Sequence, residues 1–325
     1  MRGSVRRREL LVILGIALPS VTVGAQSPRV QRVGVLFPAG AEPGHRDLVE
    51  ALAKLGYQEG RNIAYEVRAA ESDAERLPQL ARELVALKPD VIVSATERAG
   101  SALRTATRDI PIVLALVGDP VALGLTQSIA RPTGNVTGFT TGHETVVPKR
   151  LELLHEMVPG LRKAALIWNA ENAQHRLVLD RTREAAAALG IELLSLPVSS
   201  GEEISPAIAR ADQERAGGIL VAADPLTVRN RRSIIDECTL RDLPAVHTYS
   251  FEVRDGALAS YGSDVGEDYG RTALYVDRLL KGAQIVELPF QEPIQMTLTI
   301  NLRTAKALGL TVPSTLLARA DEVIE

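Results

Sequence analysis

Two carboxylates stand where a core strand would be expected simply to end. In "GILVAADPL", Gly218 to Leu226, an apolar run leads into Asp224-Pro225, and in "PIVLALVGDP" the same happens at Asp119-Pro120. A carboxylate held at the end of a buried strand can pair with a ligand ammonium through charge-assisted hydrogen bonds. It can equally cap the helix that follows, with Pro at the first helical position. For Asp119, followed by "VALGL", the capping role is the simpler reading; for Asp224 both stay open. A third strand end, "VIVSATERAG", places Ser94, Thr96 and Glu97 in the turn before a helix starting near Ala99. Hydroxyls and free backbone N–H groups there would bind a ligand carboxylate, or act as ordinary helix caps.

Aromatic residues number only eleven, yet Phe37, Trp168, Tyr249, Phe251 and Tyr261 all fall at or just beyond predicted strand ends. Aromatic faces so placed can sandwich a flat or apolar ligand, each adding about 1 kcal/mol beyond simple burial, or they can close the cores beneath them. Asn169 and Ser263-Asp264 occupy similar strand-end positions. Catalytic signatures are missing from the sequence. The five histidines, at 45, 143, 155, 175 and 247, show no metal-binding spacing. There is no G-x-S-x-G, and "FPAGAEPG" after the first strand lacks the G-x-G-x-x-G spacing of a phosphate loop. His247 and Asp224 could form an acid/base pair only if the fold brought them together. No catalytic residue, metal ligand or cofactor is therefore expected.

These residues need elements to hold them. "RVGVLFP" is a short β-branched run, and in "HRDLVEALAKLGY" Leu48, Leu52 and Leu55 share one helical face. Strand-like and helix-like stretches then alternate through "NIAYEVRAA", "AERLPQLARELVALKP", "DVIVSAT", "AGSALRTATRD" and "IPIVLALVGD". Such alternation makes βαβ units and a parallel sheet covered on both faces. A second series starts at "KAALIWNAE". Phe37 aligns with Trp168, Gly56 with Gly190, Ser94 with Ala222, and Ile110 with Leu243, at near-constant separations of 131, 134, 128 and 133 residues. The chain thus reads as two copies of one α/β lobe. In that register Asp224 matches Thr96 rather than Asp119; what the candidate segments share is a place beyond the carboxyl ends of parallel strands, where open α/β sheets bind ligands. Further strand and helix patterns after the second lobe imply a chain that crosses between lobes several times, as a hinge requires.

Composition fits this reading. The 325 residues are 46% hydrophobic and 24% charged, the balance of a globular chain of about two domains. Residues 1–25 carry Arg2, Arg6, Arg7 and Arg8, an apolar run from Leu10 to Val23 and the small-residue end Val23-Gly24-Ala25. That run, about 14 residues, is shorter than the roughly 20 of a spanning helix and reads as a cleaved export signal. Arg7-Arg8-Glu9-Leu10-Leu11 is compatible with either the twin-arginine or the general secretory route. The mature chain would hold 33 basic and 39 acidic residues, and no basic patch with interleaved aromatics, which argues against nucleic acid. Cys238 is the only cysteine; with no partner and none near the cleavage point, it reads as a buried apolar residue, and no lipid anchor is expected.

Three segments carry a resemblance: "VGDPVALGLTQSIARPTGNVTGFT", "KRLELLHEMVPGLRKAALIWN" and "TINLRTAKALGLTVPSTLLARADEVI". They resemble bacterial ABC transporter substrate-binding proteins of the tryptophan/tyrosine-type family, from about Arg32 to Ile324. The resemblance implies the periplasmic-binding-protein type I fold: two Rossmann-like lobes with parallel sheets joined by a multi-crossover hinge. On this expectation the N-terminal lobe spans 30–140 plus 262–290 and the C-terminal lobe 141–261 plus 291–325. It further implies a periplasmic, monomeric carrier of a small solute, an amino acid or aromatic compound among the candidates, delivered to an inner-membrane permease with a separate ATPase. The expected ligand-binding set is Phe37, Ser94, Thr96, Glu97, Asp119, Trp168, Asn169, Asp224, Tyr249 and Tyr261. Closure would turn about crossovers near Gly138 to Val147, Ala259 to Gly262 and Leu288 to Ile294. The alternatives are a periplasmic sensory ligand-binding protein and an exported α/β enzyme.

Overall fold

The computed structural model describes residues 29–38, 40, 44–71, 73–94, 96–141 and 143–325. The expected export signal lies outside the described residues. The first lobe is built from β1 (Gln31–Phe37), α1 (Gly44–Lys54), β2 (Ile63–Ala69), α2 (Leu77–Ala86), β3 (Val91–Ser94), α3 (Glu97–Ala106), β4 (Ile112–Val117) and β5 (Val136–Thr140). Its five strands are all parallel, in the order β2-β1-β3-β4-β5.

The second lobe follows with α4 (His143–Met157), β6 (Lys163–Asn169), α5 (Gln174–Leu189), β7 (Glu192–Val198), α6 (Ile204–Gln213) and β8 (Ile219–Val221). It continues through α7 (Pro225–Arg229), α8 (Arg231–Leu240), β9 (Ala245–His247), α9 (Ser250–Arg254) and β10 (Ala259–Gly262). After α10 (Val265–Leu280) come β11 (Thr297–Asn301), α11 (Leu302–Ala307), α12 (Ser314–Leu317) and β12 (Glu322–Ile324). The second sheet runs β12-β11-β10-β9-β8-β6-β7, so β7-β6-β8-β9-β10 repeats the first sheet's order strand for strand. Among its pairings only β10 with β11 is antiparallel.

Burial explains why these sequences settle so. Val33 and Val35 of β1 are inaccessible, and the periodic Leu48 and Leu52 of α1 cover them. Helix α5 ends where Gly190 takes the left-handed conformation, φ 67°, which glycine adopts without steric cost. Helix α10 is late in the chain yet packs on the first lobe, where Tyr269, Ala273 and Val276 join Val33, Val35 and Leu48 in one core cluster. The chain therefore crosses after β5, again after β10, and returns before β11.

The returning segment is tied to the first lobe. Thr140 N–H donates to the Gln291 carbonyl at 2.8 Å and Gln291 N–H to the Gly138 carbonyl at 3.1 Å. Arg271 stacks its guanidinium 4.6 Å from the Phe139 ring centroid and donates to the Glu292 carbonyl at 2.8 Å. Gly138 is required here, because a β-carbon would overlap the Leu114 carbonyl oxygen and lie 2.7 Å from the Leu114 nitrogen.

Candidate ligand cleft between the lobes

Strand β8 ends at Val221, and three residues later Asp224 caps α7: its Oδ1 accepts from Leu226 N–H at 2.9 Å, while its own N–H donates to Thr227 Oγ1 at 3.0 Å. The carboxylate does more than cap. Asn169 Nδ2 donates to Oδ1 at 2.8 Å and Asn172 Nδ2 to Oδ2 at 3.1 Å. The side chain is buried, and it lines a cavity of about 170 Å³ between the lobes. His175 supports the same loop. Its Nδ1 accepts from Asn169 N–H at 3.0 Å, which leaves Nε2 to donate to the Ala223 carbonyl at 3.2 Å. Burial pulls the imidazole pKa below its ordinary value, against the opposing pull of Asp224.

Glu97 enters from the first lobe as the first residue of α3. Asn172 Nδ2 lies 3.4 Å from its Oε1, so one amide stands between the two carboxylates, Glu97 on one lobe and Asp224 on the other. Burial pushes the Glu97 carboxyl up; its own backbone N–H and Asn172 act in the opposite direction, and Asp224 adds to the rise. The lobes also touch where the Arg229 guanidinium donates to the Glu71 carbonyl.

The walls are apolar and aromatic. Phe37 and Tyr269 face the cavity from the first lobe, and Tyr249 and Phe251 from the second. Tyr249 and Phe251 stack at 5.3 Å with an interplanar angle of 17°, and the Arg231 guanidinium sits 5.5 Å from the Phe251 centroid. Burial pushes the Tyr249 phenol well above its ordinary pKa, so it is present as a neutral hydroxyl.

One charged lining residue was not singled out by the sequence reading. Arg150, on the second turn of α4, is 1% exposed. Its Nε donates to the Tyr261 carbonyl at 2.7 Å, but among the described residues Nη1 and Nη2 have no partner. Burial lowers its pKa to about 10, which leaves it cationic at neutral pH. The signal was present in the sequence: Arg150 lies three residues after Val147 and four before Leu154, on the buried face of its helix.

Of the ten expected ligand residues, the structure brings Phe37, Thr96, Glu97, Asp224 and Tyr249 to the cavity wall. The other five sit elsewhere. Ser94 is fully buried and donates to the Thr96 carbonyl at 3.2 Å, inside the turn. Asp119 accepts from Val121 and Ala122 N–H at 2.8 and 3.1 Å, a capping role. Trp168 packs in the second lobe's core with Nε1 donating to Ser195 Oγ at 2.8 Å. Asn169 acts on Asp224 rather than from the main cavity wall, and Tyr261 packs against the core while its carbonyl holds Arg150. Asp264 caps α10 through Glu267 N–H at 2.9 Å.

The imagined His247–Asp224 pair does not form: His247 Nδ1 lies 3.1 Å from Glu252 Oε1, in a buried contact under α9. Among the described residues, no group of three or more His, Cys, Asp or Glu could hold a metal ion. Cys238 is buried, and burial pushes its thiol pKa up to about 12, consistent with an apolar role.

A cavity walled by two topologically repeated α/β lobes, at the carboxyl ends of their parallel strands, defines a two-lobed ligand-binding protein. Residues 43–324 match the ABC transporter substrate binding protein family, and the chain belongs to that family. It is a substrate-binding protein and not an enzyme. A curated relative, the "Tyrosine-binding protein" of Clostridioides difficile strain R20291, is 28% identical over 268 residues, covering 82% of this chain and 76% of the relative. Among solved structures, an ABC domain in complex with L-Trp from Streptococcus pneumonia superimposes with a TM-score of 0.83 at 22% identity, covering 91% of this chain and 100% of that one. A ligand-free, open substrate binding protein with adhesive properties from Clostridium difficile gives a TM-score of 0.67 at 24% identity, covering 91% of this chain and 99% of that one. Among the described residues, no helix is long and apolar enough to cross a membrane.

Proposed function

We propose that the protein is the extracytoplasmic solute-binding component of an ABC importer, capturing an amino acid or a related aromatic compound between its lobes. The observation that carries this is the cavity itself: aromatic plates from both lobes enclose a space whose polar groups, Glu97, Asp224, Arg150 and the neutral Tyr249 hydroxyl, come from different elements. An apolar enclosure with a few convergent polar groups is the usual form of a small-molecule site. The names borne by the relatives, tyrosine-binding and L-Trp-bound, point to the same ligand class. Cross-lobe contacts at Asn172–Glu97 and Arg229–Glu71 favour the closed form that a ligand would select.

Export through the basic, apolar N-terminal segment would put the mature monomer in the periplasm, beside a permease powered by a separate ATPase. The test is native mass spectrometry of the gently purified mature chain, followed by thermal-shift screening against amino acids, aromatic acids, nucleosides and small sugars. A solute at 100 times its dissociation constant adds about 2.7 kcal/mol of stability. The expected result is one clear class of stabilisers, released unchanged. A panel that binds nothing, or a solute that is converted, overturns the carrier reading.

A further inference from the structure

We infer, building on the solute-binding reading of the cleft, that Arg150 is the anchor for a carboxylate on the solute. Arg150 is 1% exposed and lines the cavity, yet among the described residues Nη1 and Nη2 have no partner and no carboxylate lies within ion-pair distance of it. The carboxylate that acts on it electrostatically, Glu252, is committed elsewhere: it meets His247 Nδ1 at 3.1 Å and accepts from the Thr248 and Tyr249 N–H groups at 3.2 and 2.9 Å. A buried charge without a counter-charge is costly to the folded state. A ligand that supplies the counter-charge removes that cost, and a planar guanidinium with two free N–H edges matches a carboxylate in bidentate geometry.

The fold aims this group. Nε is pinned to the Tyr261 carbonyl on β10 at 2.7 Å, which fixes the plane of the guanidinium and leaves the Nη edge free. Other buried guanidinium groups with free nitrogens differ in position and setting. Arg271 lies outside the cleft, stacked on Phe139 and bonded to Gln291 and Glu292. Arg104 is half-buried on α3 and does not line the cavity.

The remaining charges give the solute a direction. Glu97 and Asp224, joined through Asn172, form the negative side of the same cavity and suit an ammonium or other donor. The turn before α3 suits an anion poorly, since the Glu97 carboxylate already accepts from its own backbone N–H. The carboxylate site therefore belongs to the second lobe, and the solute class is a carboxylate-bearing compound, zwitterionic where its other end is an amine.

The test compares paired probes by calorimetry on the mature chain: L-tyrosine with tyramine, L-tryptophan with tryptamine, and phenylacetate with phenylacetamide. The acid of at least one pair should bind about thirty-fold or more tightly than its carboxylate-free counterpart, and Arg150→Met should abolish that preference. Wild-type protein that binds both members of every pair alike, or an Arg150→Met variant that keeps the preference, overturns the carboxylate anchor while leaving the carrier reading intact. If phenylacetate alone binds in an Arg150-dependent manner, the anchor stands and the amino-acid reading fails. A ligand-free arm needs no solute: Arg150→Met loses the Nε bond to the Tyr261 carbonyl together with the uncompensated charge and keeps the alkyl stem, so it should melt within about 3 °C of wild type. A marked fall in melting temperature would show the guanidinium to be structurally satisfied and overturn the inference.

Discussion

Asp268→Asn isolates a buried carboxyl beside the second crossover. Asp268 lies in the first turns of α10, is 2% exposed, and is hydrogen-bonded by the Ser263 hydroxyl, with Arg271 Nη1 3.9 Å away and its own Oδ2 without a partner among the described residues. Burial pushes its pKa from 3.8 up to about 6; Glu267 and Asp264 add to the rise, while Ser263 and Arg271 oppose it. The native state therefore holds this proton more tightly than the unfolded chain does. Its contribution to stability is fully present below pH 3.8 and is lost as pH rises through 6. The shift amounts to about 3 kcal/mol between those limits, of which about 1.4 kcal/mol is recovered on acidifying to pH 5.

Asparagine keeps the shape and the Ser263 contact but cannot titrate. Any constant difference in hydrogen bonding cancels when the two proteins are compared across pH. Urea denaturation of the mature wild type and Asp268→Asn at pH 4, 5, 6 and 7.5 should show the variant gaining on the wild type by about 2.4 kcal/mol as pH rises over that range. Other shifted carboxyls, Glu97 among them, are common to both proteins and drop out of the difference. A difference that stays flat with pH would refute the reasoning, since it would mean the Asp268 carboxyl titrates alike in folded and unfolded chains.

Gly138→Ala should destabilise the protein by about 3 kcal/mol or more, because the new methyl meets the Leu114 backbone and not a movable side chain; wild-type stability in urea would contradict the close approach. Asn169→Ala removes the 2.8 Å amide bond to Asp224 and should weaken solute binding about tenfold, within the range for hydrogen bonds to charged groups, as read by calorimetry. Trp168→Phe loses the 2.8 Å bond to Ser195 and should lower stability by about 1 kcal/mol while leaving solute affinity within about twofold; a large affinity loss would put the indole back in the cleft.

The fold was legible because its cues are local. Periodic Leu48 and Leu52, β-branched runs such as "VGVLF", and the near-constant spacing between the two series are all carried by neighbouring residues, and the repeated strand order follows from them. Half of the expected residues reach the cavity wall for the same reason: strand ends point to the cleft, and Thr96, Glu97 and Asp224 sit just beyond strand ends. What a strand end does not reveal is which way a ring turns. Phe37 ends β1 and Trp168 is the penultimate residue of the equivalent strand β6, yet Phe37 lines the cleft while Trp168 turns to Ser195 and the core. That choice depends on what packs above each strand, which no short window contains. Arg150 was passed over for a related reason. A cation among Val147, Leu151 and Leu154 looks like one more charge on an amphipathic helix until the second lobe's sheet closes over it and only Tyr261 answers its guanidinium. A helix whose apolar face carries one long cation is therefore the pattern to look for when a cleft's counter-charge is absent from its loops.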